Sequence, residues 1–117
     1  EDTAYKKYTV SEALGNLTAA AKTKNPQEWK TPAAAQMQSD KIRQAYDNYA
    51  RTLKQYATTM KLERRMGWGA SFVIKASKPV GKTNFFDQLL ASRNELIKLT
   101  DENAVIGVEC ASTFAEE

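Results

Sequence analysis

Residues 33 to 66 read AAAQMQSDKIRQAYDNYARTLKQYATTMKLERRM and decide the fold, because this long stretch contains neither Gly nor Pro. Apolar side chains recur within it at alternating steps of four and three, which is typical of a helix that packs on other helices at a shallow angle. We call this set the tyrosine seam, and its members are Ile42, Tyr46, Tyr49, Leu53, Tyr56 and Met60. Gly67 follows where a left-handed C-cap is expected. The stretch predicts one helix of about 50 Å, from Ala33 to Met66.

A first helix and a Trp-bearing turn are predicted ahead of this long helix. Thr9 and Glu12 match a capping box, in which each side chain accepts a hydrogen bond from the other residue's backbone amide. A helix is therefore expected from about Val10 to Lys22. Residues 25 to 29, Asn-Pro-Gln-Glu-Trp, then predict a short turn, with Asn25 as its cap and its Pro in the first turn.

The second half of the chain is less regular. Residues 67 to 82 hold three Gly and one Pro around a short apolar run, which predicts an irregular connection. A wide apolar face then predicts a helix from about Phe85 to Leu99, with Thr83 or Asn84 as its cap. After Asp101 three alternatives stay open: a short fourth helix, an extended tail against the other helices, or part of a longer element.

These elements predict an all-α fold, an up-down helical bundle with three clear helices and room for a fourth. The chain of 117 residues is expected to form a single domain over residues 1–117, with a weakly predicted tail from about residue 101. A chain of this length can bury about two thirds of the surface that its unfolded form exposes. No metal or disulfide framework is needed to hold it together.

The composition argues against enzyme chemistry. The chain has no His, which removes the commonest general base and the commonest zinc ligand, and its lone Cys110 has no partner for an internal disulfide. Gly81-Lys82-Thr83 resembles the end of a phosphate-binding loop, but Ala76 stands where that motif needs its first Gly. We expect no catalytic residue, no cofactor and no metal.

The three tyrosines of the seam allow two interpretations. Tyr46, Tyr49 and Tyr56 fit a core edge, with the rings inside and the hydroxyls in water, and they also fit the wall of a small-molecule slot. Their heptad-like spacing favours the core edge.

Charge is distributed unevenly around a net charge of +3. Every Lys and Arg precedes residue 101, whereas the residues after Thr100 carry five acids and no base. The densest basic stretch runs from Lys54 to Lys82 and holds Glu63 as its one acid. Such a surface raises encounter rates with acidic partners. The candidate partner-docking residues are Lys54, Lys61, Arg64, Arg65, Trp68, Lys75, Lys78 and Lys82.

This basic stretch allows three interpretations. Arg64, Arg65 and Trp68 fit a nucleic-acid patch with an aromatic platform, but a net charge of +3 is weak for nucleic-acid binding, so no nucleic acid is expected. A protein dock is favoured by a Trp and apolar residues on a Gly-rich connection. A solvated basic face, with the apolar run folded onto the bundle, stays open beside it.

The order of elements resembles a known family. A short first helix, the Pro and Trp turn NPQEWKTP at residues 25–32, the long helix, and the later helix TNFFDQLLASRNELIKL at residues 83–99 are similar to the PsbQ-type extrinsic proteins of photosystem II. Size and layout are closest to the small extrinsic subunit of diatoms and related algae, over roughly residues 5 to 100. The irregular connection is longer than the family's usual loops, and the final family helix is not evident after Asp101.

The resemblance implies a non-enzymatic subunit in the thylakoid lumen of a plastid. It would be peripheral to the membrane rather than inserted, and would bind intrinsic and extrinsic subunits of photosystem II. There it would support oxygen evolution by stabilising and shielding the manganese-calcium cluster. The alternatives are an adaptor of another membrane-associated assembly and a small-molecule carrier that uses the tyrosine seam. No site residue of the family can be assigned to this sequence, so the docking residues rest on the charge of the basic stretch and on the Trp and apolar residues within it.

Overall fold

The computed structural model describes residues 9–59 and 83–110, which form four α-helices and one short 3-10 helix. The helices are α1 (Val10–Lys24), the 3-10 helix (Pro26–Trp29), α2 (Pro32–Thr59), α3 (Thr83–Leu99) and α4 (Glu102–Glu109). Among these described residues there is no strand. The predicted all-α fold is confirmed.

Helix α1 begins at the predicted capping box. The Thr9 hydroxyl accepts from the Glu12 amide at 3.1 Å, and the Glu12 carboxylate accepts from the Thr9 amide at 2.9 Å. The helix runs two residues beyond its predicted end, to Lys24. Two otherwise unpaired amides of the first turn are satisfied in this way, which fixes where the helix starts.

The Trp-bearing turn is confirmed as the 3-10 helix, with Pro26 in its first turn. The predicted side-chain cap is wrong, because the Asn25 side chain makes no capping hydrogen bond. Its backbone forms a hydrogen bond with each neighbouring helix instead. The Asn25 amide donates to the Ala21 carbonyl of α1 at 2.9 Å, and the Asn25 carbonyl accepts from the Glu28 amide of the 3-10 helix at 3.1 Å. Trp29 is half-buried, and the Lys22 ammonium lies 5.4 Å from its ring centre.

The tyrosine seam forms the buried face of α2. Five of its six members, Ile42, Tyr46, Tyr49, Leu53 and Tyr56, are at most 2% exposed. The predicted continuation of the helix to Met66, the sixth member Met60, the Gly67 cap and the irregular connection at 67–82 all lie outside the described residues.

Helix α3 begins two residues before its predicted start. Thr83 is its first residue, so both predicted capping residues lie within the helix. The first turn has amides without intrahelical partners, so polar residues are readily accommodated there. Phe86, Leu89 and Leu96 are buried, and the Phe86 ring lies 5.7 Å from the Tyr56 ring.

The fourth-helix alternative is confirmed for residues 102–109. Asp101 caps α4 by accepting from the Asn103 amide at 3.0 Å. Val105 and Val108 are buried, and α4 packs against α1 and α3. The extended-tail alternative is wrong for these residues, because a capped start and buried apolar positions favour a helix.

The helices run up, down and up. Helices α2 and α3 are antiparallel, because Tyr56 meets Phe86 at one end while Ala45 and Leu99 line a common groove at the other. The C-terminal end of α1 lies beside that of α3, where the Lys24 ammonium donates to the carbonyls of Ile97 (3.5 Å) and Lys98 (3.0 Å). The predicted up-down bundle is therefore confirmed. A cation at those carbonyls also complements the α3 dipole.

Candidate functional site

One of the eight predicted docking residues falls on the described part of the chain. Lys54 lies on the exposed face of α2. The other seven lie outside the described residues: Lys61, Arg64, Arg65, Trp68, Lys75, Lys78 and Lys82. The docking set beyond Lys54 therefore stays a prediction.

Lys54 lies at the end of a shallow groove between α1 and α2. This groove has a volume of about 300 Å³. Val10 of α1 and the charged side chains of Asp47 and Arg51 of α2 line it with Lys54. Tyr46 and Ala50 form its deeper part, since Tyr46 is buried and Ala50 is half-buried. The groove is thus apolar inside and charged along one wall.

A second groove lies between the same two helices. It has a volume of about 510 Å³ and is lined by Gly15, Thr18 and Lys22 of α1 and by Asp40 and Arg43 of α2, among others. Its deeper part is apolar, formed by half-buried Leu14 and buried Ile42. Lys22 and Arg43 therefore bring positive charge to this groove from both of its walls.

The two grooves share one face of α2, and we call them together the α1–α2 trough. The α2 residues along its wall are Gln36, Asp40, Arg43, Asp47, Arg51 and Lys54. They recur at steps of three and four, so they lie on one face of the helix. From the first to the last they span five turns, about 27 Å.

The trough carries a net positive charge. Its exposed cations are Lys22, Arg43, Arg51 and Lys54, against the exposed carboxylates of Asp40 and Asp47. The Asp40 carboxylate also accepts a hydrogen bond from the Gln36 amide group at 3.0 Å. Exposed cations of this kind attract acidic partners and favour a particular orientation of approach.

The tyrosine seam is core. Tyr49 is 0% and Tyr56 1% exposed. The expected placement of the hydroxyls in water is wrong for Tyr46, whose hydroxyl oxygen is buried, and for Tyr49, whose hydroxyl donates to the Glu109 carboxylate at 2.5 Å. The Tyr56 ring lies against Phe86 of α3, and the Tyr49 hydroxyl contacts Glu109 of α4. The rings of Tyr49 and Tyr56 therefore do not line a slot open to a small molecule.

An ion pair buried between three helices was not predicted. Arg93 of α3 donates to Glu109 of α4 through Nε to Oε2 at 2.5 Å and through Nη2 to Oε1 at 3.0 Å. Tyr49 of α2 donates to the same Oε2. Glu109 is 0% and Arg93 7% exposed. The carboxylate thus accepts three hydrogen bonds, from two helices other than its own.

The surroundings of Glu109 raise the pKa values of both side chains that donate hydrogen bonds to it, Tyr49 and Arg93. Burial, and next the Glu109 charge, raise the pKa of Tyr49 far above its ordinary value, so the hydroxyl stays protonated. The hydrogen bond to Glu109 raises the pKa of Arg93. Buried charges are tolerated in proteins when they are paired with an opposite charge and hydrogen-bonded to it, as Arg93 and Glu109 are. The arrangement is that of a structural ion pair.

Sequence patterns contained a signal for one partner of the pair. Arg93 lies four residues after Leu89 and three before Leu96, so it shares their buried helix face. Glu109 directly follows the buried Val108 near the end of the chain. Each charge taken alone is expected at the surface, because Glu and Arg are rarely buried unless paired.

Among residues 9–59 and 83–110, no group of three or more His, Cys, Asp or Glu is placed to hold a metal ion. None of the helices described there has both the length and the hydropathy to cross a bilayer. Comparison of the chain with protein-family models, with curated proteins and with solved structures finds no match.

Proposed function

We propose that this protein is a non-enzymatic subunit that docks electrostatically on the lumenal side of photosystem II. There it stabilises and shields the oxygen-evolving manganese-calcium cluster. The observation that carries the proposal is the net positive face of α2, on which Arg43, Arg51 and Lys54 are exposed; Lys54 is also the first residue of the basic stretch.

The interior of the bundle supports a docking role. Among residues 9–59 and 83–110, the buried charged groups are Arg93 and Glu109, which are paired with each other, and the seam tyrosines there pack within the core. In this part of the chain, the charges left for a partner are those on the surface. A preorganised helical surface loses little conformational entropy on binding, which favours docking as a rigid body.

The choice of photosystem II as the partner rests on the family resemblance. The order of a short helix, a Pro and Trp turn, a long helix and a later helix resembles the layout of the PsbQ-type proteins. The adaptor alternative uses the same basic surface on another membrane-associated assembly. The carrier alternative loses its main support, because Tyr49 and Tyr56 are enclosed.

Release and rebinding at different salt concentrations test the proposal. Photosystem II membranes stripped with about 1 M salt, where the screening length is about 3 Å, are mixed with the purified protein at about 0.01 M, where it is about 30 Å. We expect the protein to rebind, to be released again by molar salt, and to raise the oxygen-evolution rate when bound. Rebinding that does not depend on the salt concentration, or a failure to rebind, would contradict the proposal.

Cross-linking separates photosystem II from another assembly. A lysine-reactive reagent applied to native membranes should join Lys54 to a photosystem II subunit, because Lys54 is exposed at the end of the trough. Joining to subunits of a different complex would support the adaptor alternative instead.

A further inference from the structure

We infer that the α1–α2 trough is the seat of a single α-helix from the partner, one with an apolar face and acidic side chains along its edges. This inference takes the docking role proposed above as its premise and names the surface and the class of partner. It rests on the shape, the exposed apolar groups and the charge of the trough.

The shape of the trough suits a helix. Its α2 wall extends over five turns, about 27 Å, which matches a helical segment of about 18 residues. An extended segment would need backbone partners, but the main-chain groups of α1 and α2 in this region are already used within their own helices. A helix satisfies its own backbone and requires only a groove between side chains.

Apolar surface remains exposed along the trough. Val10, at one end, is 38% exposed, and in the described residues only Met37 is another large hydrophobic side chain with such exposure. Leu14 and Ala50 are only partly buried in the deeper parts of the two grooves. A partner's apolar side chains would cover these groups and remove them from water.

The charge of the trough selects an acidic partner. Lys22 stands on the α1 wall, while Arg43, Arg51 and Lys54 stand on the α2 wall, so cations border the grooves on both sides. Carboxylates along the edges of the incoming helix would meet these cations, whereas lysines there would be repelled. Asp40 and Asp47 supply the repulsion that sets the register of such a helix.

A second copy of this chain is the competing occupant. Its described α3 and α4 segments expose Asp87, Glu95 and Glu102. That contact would join two different surfaces, so it would not close into a dimer and would extend with concentration. Self-association is therefore an outcome of the test.

Gly15 allows the trough to be blocked without disturbing the bundle. A Cβ added there would meet no heavy atom within 4 Å, and Gly is a poor helix former, so Gly15→Leu should fold well and project into the groove. Gly107→Leu is the matched control, because it makes the same change at an exposed, equally open position on α4, away from the trough.

Binding of a synthetic helix tests the inference directly. The probe is a stapled peptide of about 18 residues, with Leu and Ala on one face and Glu along both edges, and the control peptide carries Lys in place of Glu. At low salt we expect the full chain to bind the Glu peptide and not the Lys peptide. Gly15→Leu should weaken binding by at least about tenfold, while Gly107→Leu leaves it unchanged. No binding of the Glu peptide, or equal binding by both variants, overturns the inference.

Two further measurements separate this inference from the proposed function. If light scattering shows wild-type chains that associate through the trough and Gly15→Leu chains that stay monomeric, the partner-helix inference is overturned. On stripped photosystem II membranes, rebinding by wild type and Gly107→Leu but not by Gly15→Leu supports it. Equal rebinding by all three overturns it and leaves the proposed function standing. Peptide binding without membrane rebinding overturns the proposed function alone.

Discussion

Glu109 connects α4 to two other helices. The helix has only eight residues, too few to be stable in isolation, so it is held by packing and by this carboxylate. Glu109 accepts hydrogen bonds from Arg93 on α3 and from Tyr49 on α2, and thus joins three helices at one buried point. Removal of one partner would leave a charge buried without compensation.

The first prediction concerns that uncompensated charge. Glu109→Met, which leaves the guanidinium of Arg93 buried without its carboxylate, should lower the free energy of unfolding by about 3–5 kcal/mol. The triple variant Arg93→Met, Glu109→Met and Tyr49→Phe replaces every polar member with an apolar group of similar size. It should regain most of the loss, because no unpaired polar group remains. Urea unfolding measures both.

A matched surface change provides the control for this prediction. The exposed pair of Glu95 and Lys98 is 3.9 Å apart, and Glu95→Gln should alter the free energy of unfolding by less than about 0.5 kcal/mol. A triple variant that is no more stable than Glu109→Met would show that packing, rather than the buried charge, accounts for the loss.

The second prediction concerns stability at alkaline pH. Burial, together with Glu109, raises the pKa of Tyr49 in the folded state, whereas in the unfolded chain the pKa is about 10. Below pH 10 the hydroxyl is protonated in both states. Above it the unfolded state loses the proton and the folded state keeps it, so stability falls with rising pH. The contribution of Tyr49 to this fall should be about 1.4 kcal/mol per pH unit.

Comparison with Tyr49→Phe isolates this residue. The variant lacks one hydrogen bond at neutral pH and should then be less stable than wild type, but the gap should narrow above about pH 10, since only the wild type has Tyr49 to ionise. All other titratable groups are common to both proteins, so the comparison isolates the contribution of Tyr49. A gap that stays constant in urea unfolding up to about pH 11 would refute the account of Tyr49.

At the scale of helices, two glycines limit stability without an evident structural need. Gly15 in α1 and Gly107 in α4 are exposed, and a Cβ at either would meet no heavy atom within 4 Å. Gly in a helix interior costs about 1 kcal/mol relative to Ala, because it loses more backbone entropy on folding.

The third prediction follows from those two positions. Gly15→Ala should raise the free energy of unfolding by about 0.5–1 kcal/mol, and Gly107→Ala should do so by a similar amount. Because they lie on different helices without a shared partner, the two effects should add in the double variant. A decrease in the midpoint of thermal unfolding for either single variant would mean that the site is more crowded than the structure shows.

The helices are also the part of the structure that the sequence patterns predicted best. The capping box at Thr9, the buried seam of α2 and the apolar face of α3 were all visible, because capping and helical periodicity are local properties. The ion pair could not be predicted from the sequence, because Arg93, Glu109 and Tyr49 lie on three different helices. Neither the residue spacing nor the composition specifies which helices contact each other. The α2 wall of the trough consists of polar and charged residues at helical spacing, a pattern that on its own is also typical of a solvated helix face. It forms one side of a groove only because α1 packs beside it.

At the scale of the whole molecule, charge separates along the chain. In residues 9–59, seven Lys and Arg face four acids, whereas residues 83–110 carry Asp87, Glu95, Asp101, Glu102 and the paired Glu109 against Arg93 and Lys98. The electrostatic field of such an uneven charge distribution orients a protein as it approaches a charged surface. The basic half should therefore be the half that meets an acidic partner, which is where Lys54 and the trough lie.

The central claim, attachment through the basic stretch, is tested most directly by charge neutralisation. Lys54→Gln, Lys61→Gln and Arg64→Gln are combined in one variant, and Lys30→Gln, Lys41→Gln and Lys98→Gln, which remove the same charge from exposed positions elsewhere, in a control. Circular dichroism should show that both variants remain helical. Rebinding to salt-stripped photosystem II membranes at low ionic strength is then measured. We predict that the first variant loses at least about tenfold in affinity while the control binds like wild type. Equal loss in both variants, or full-strength binding by the first, would contradict the account.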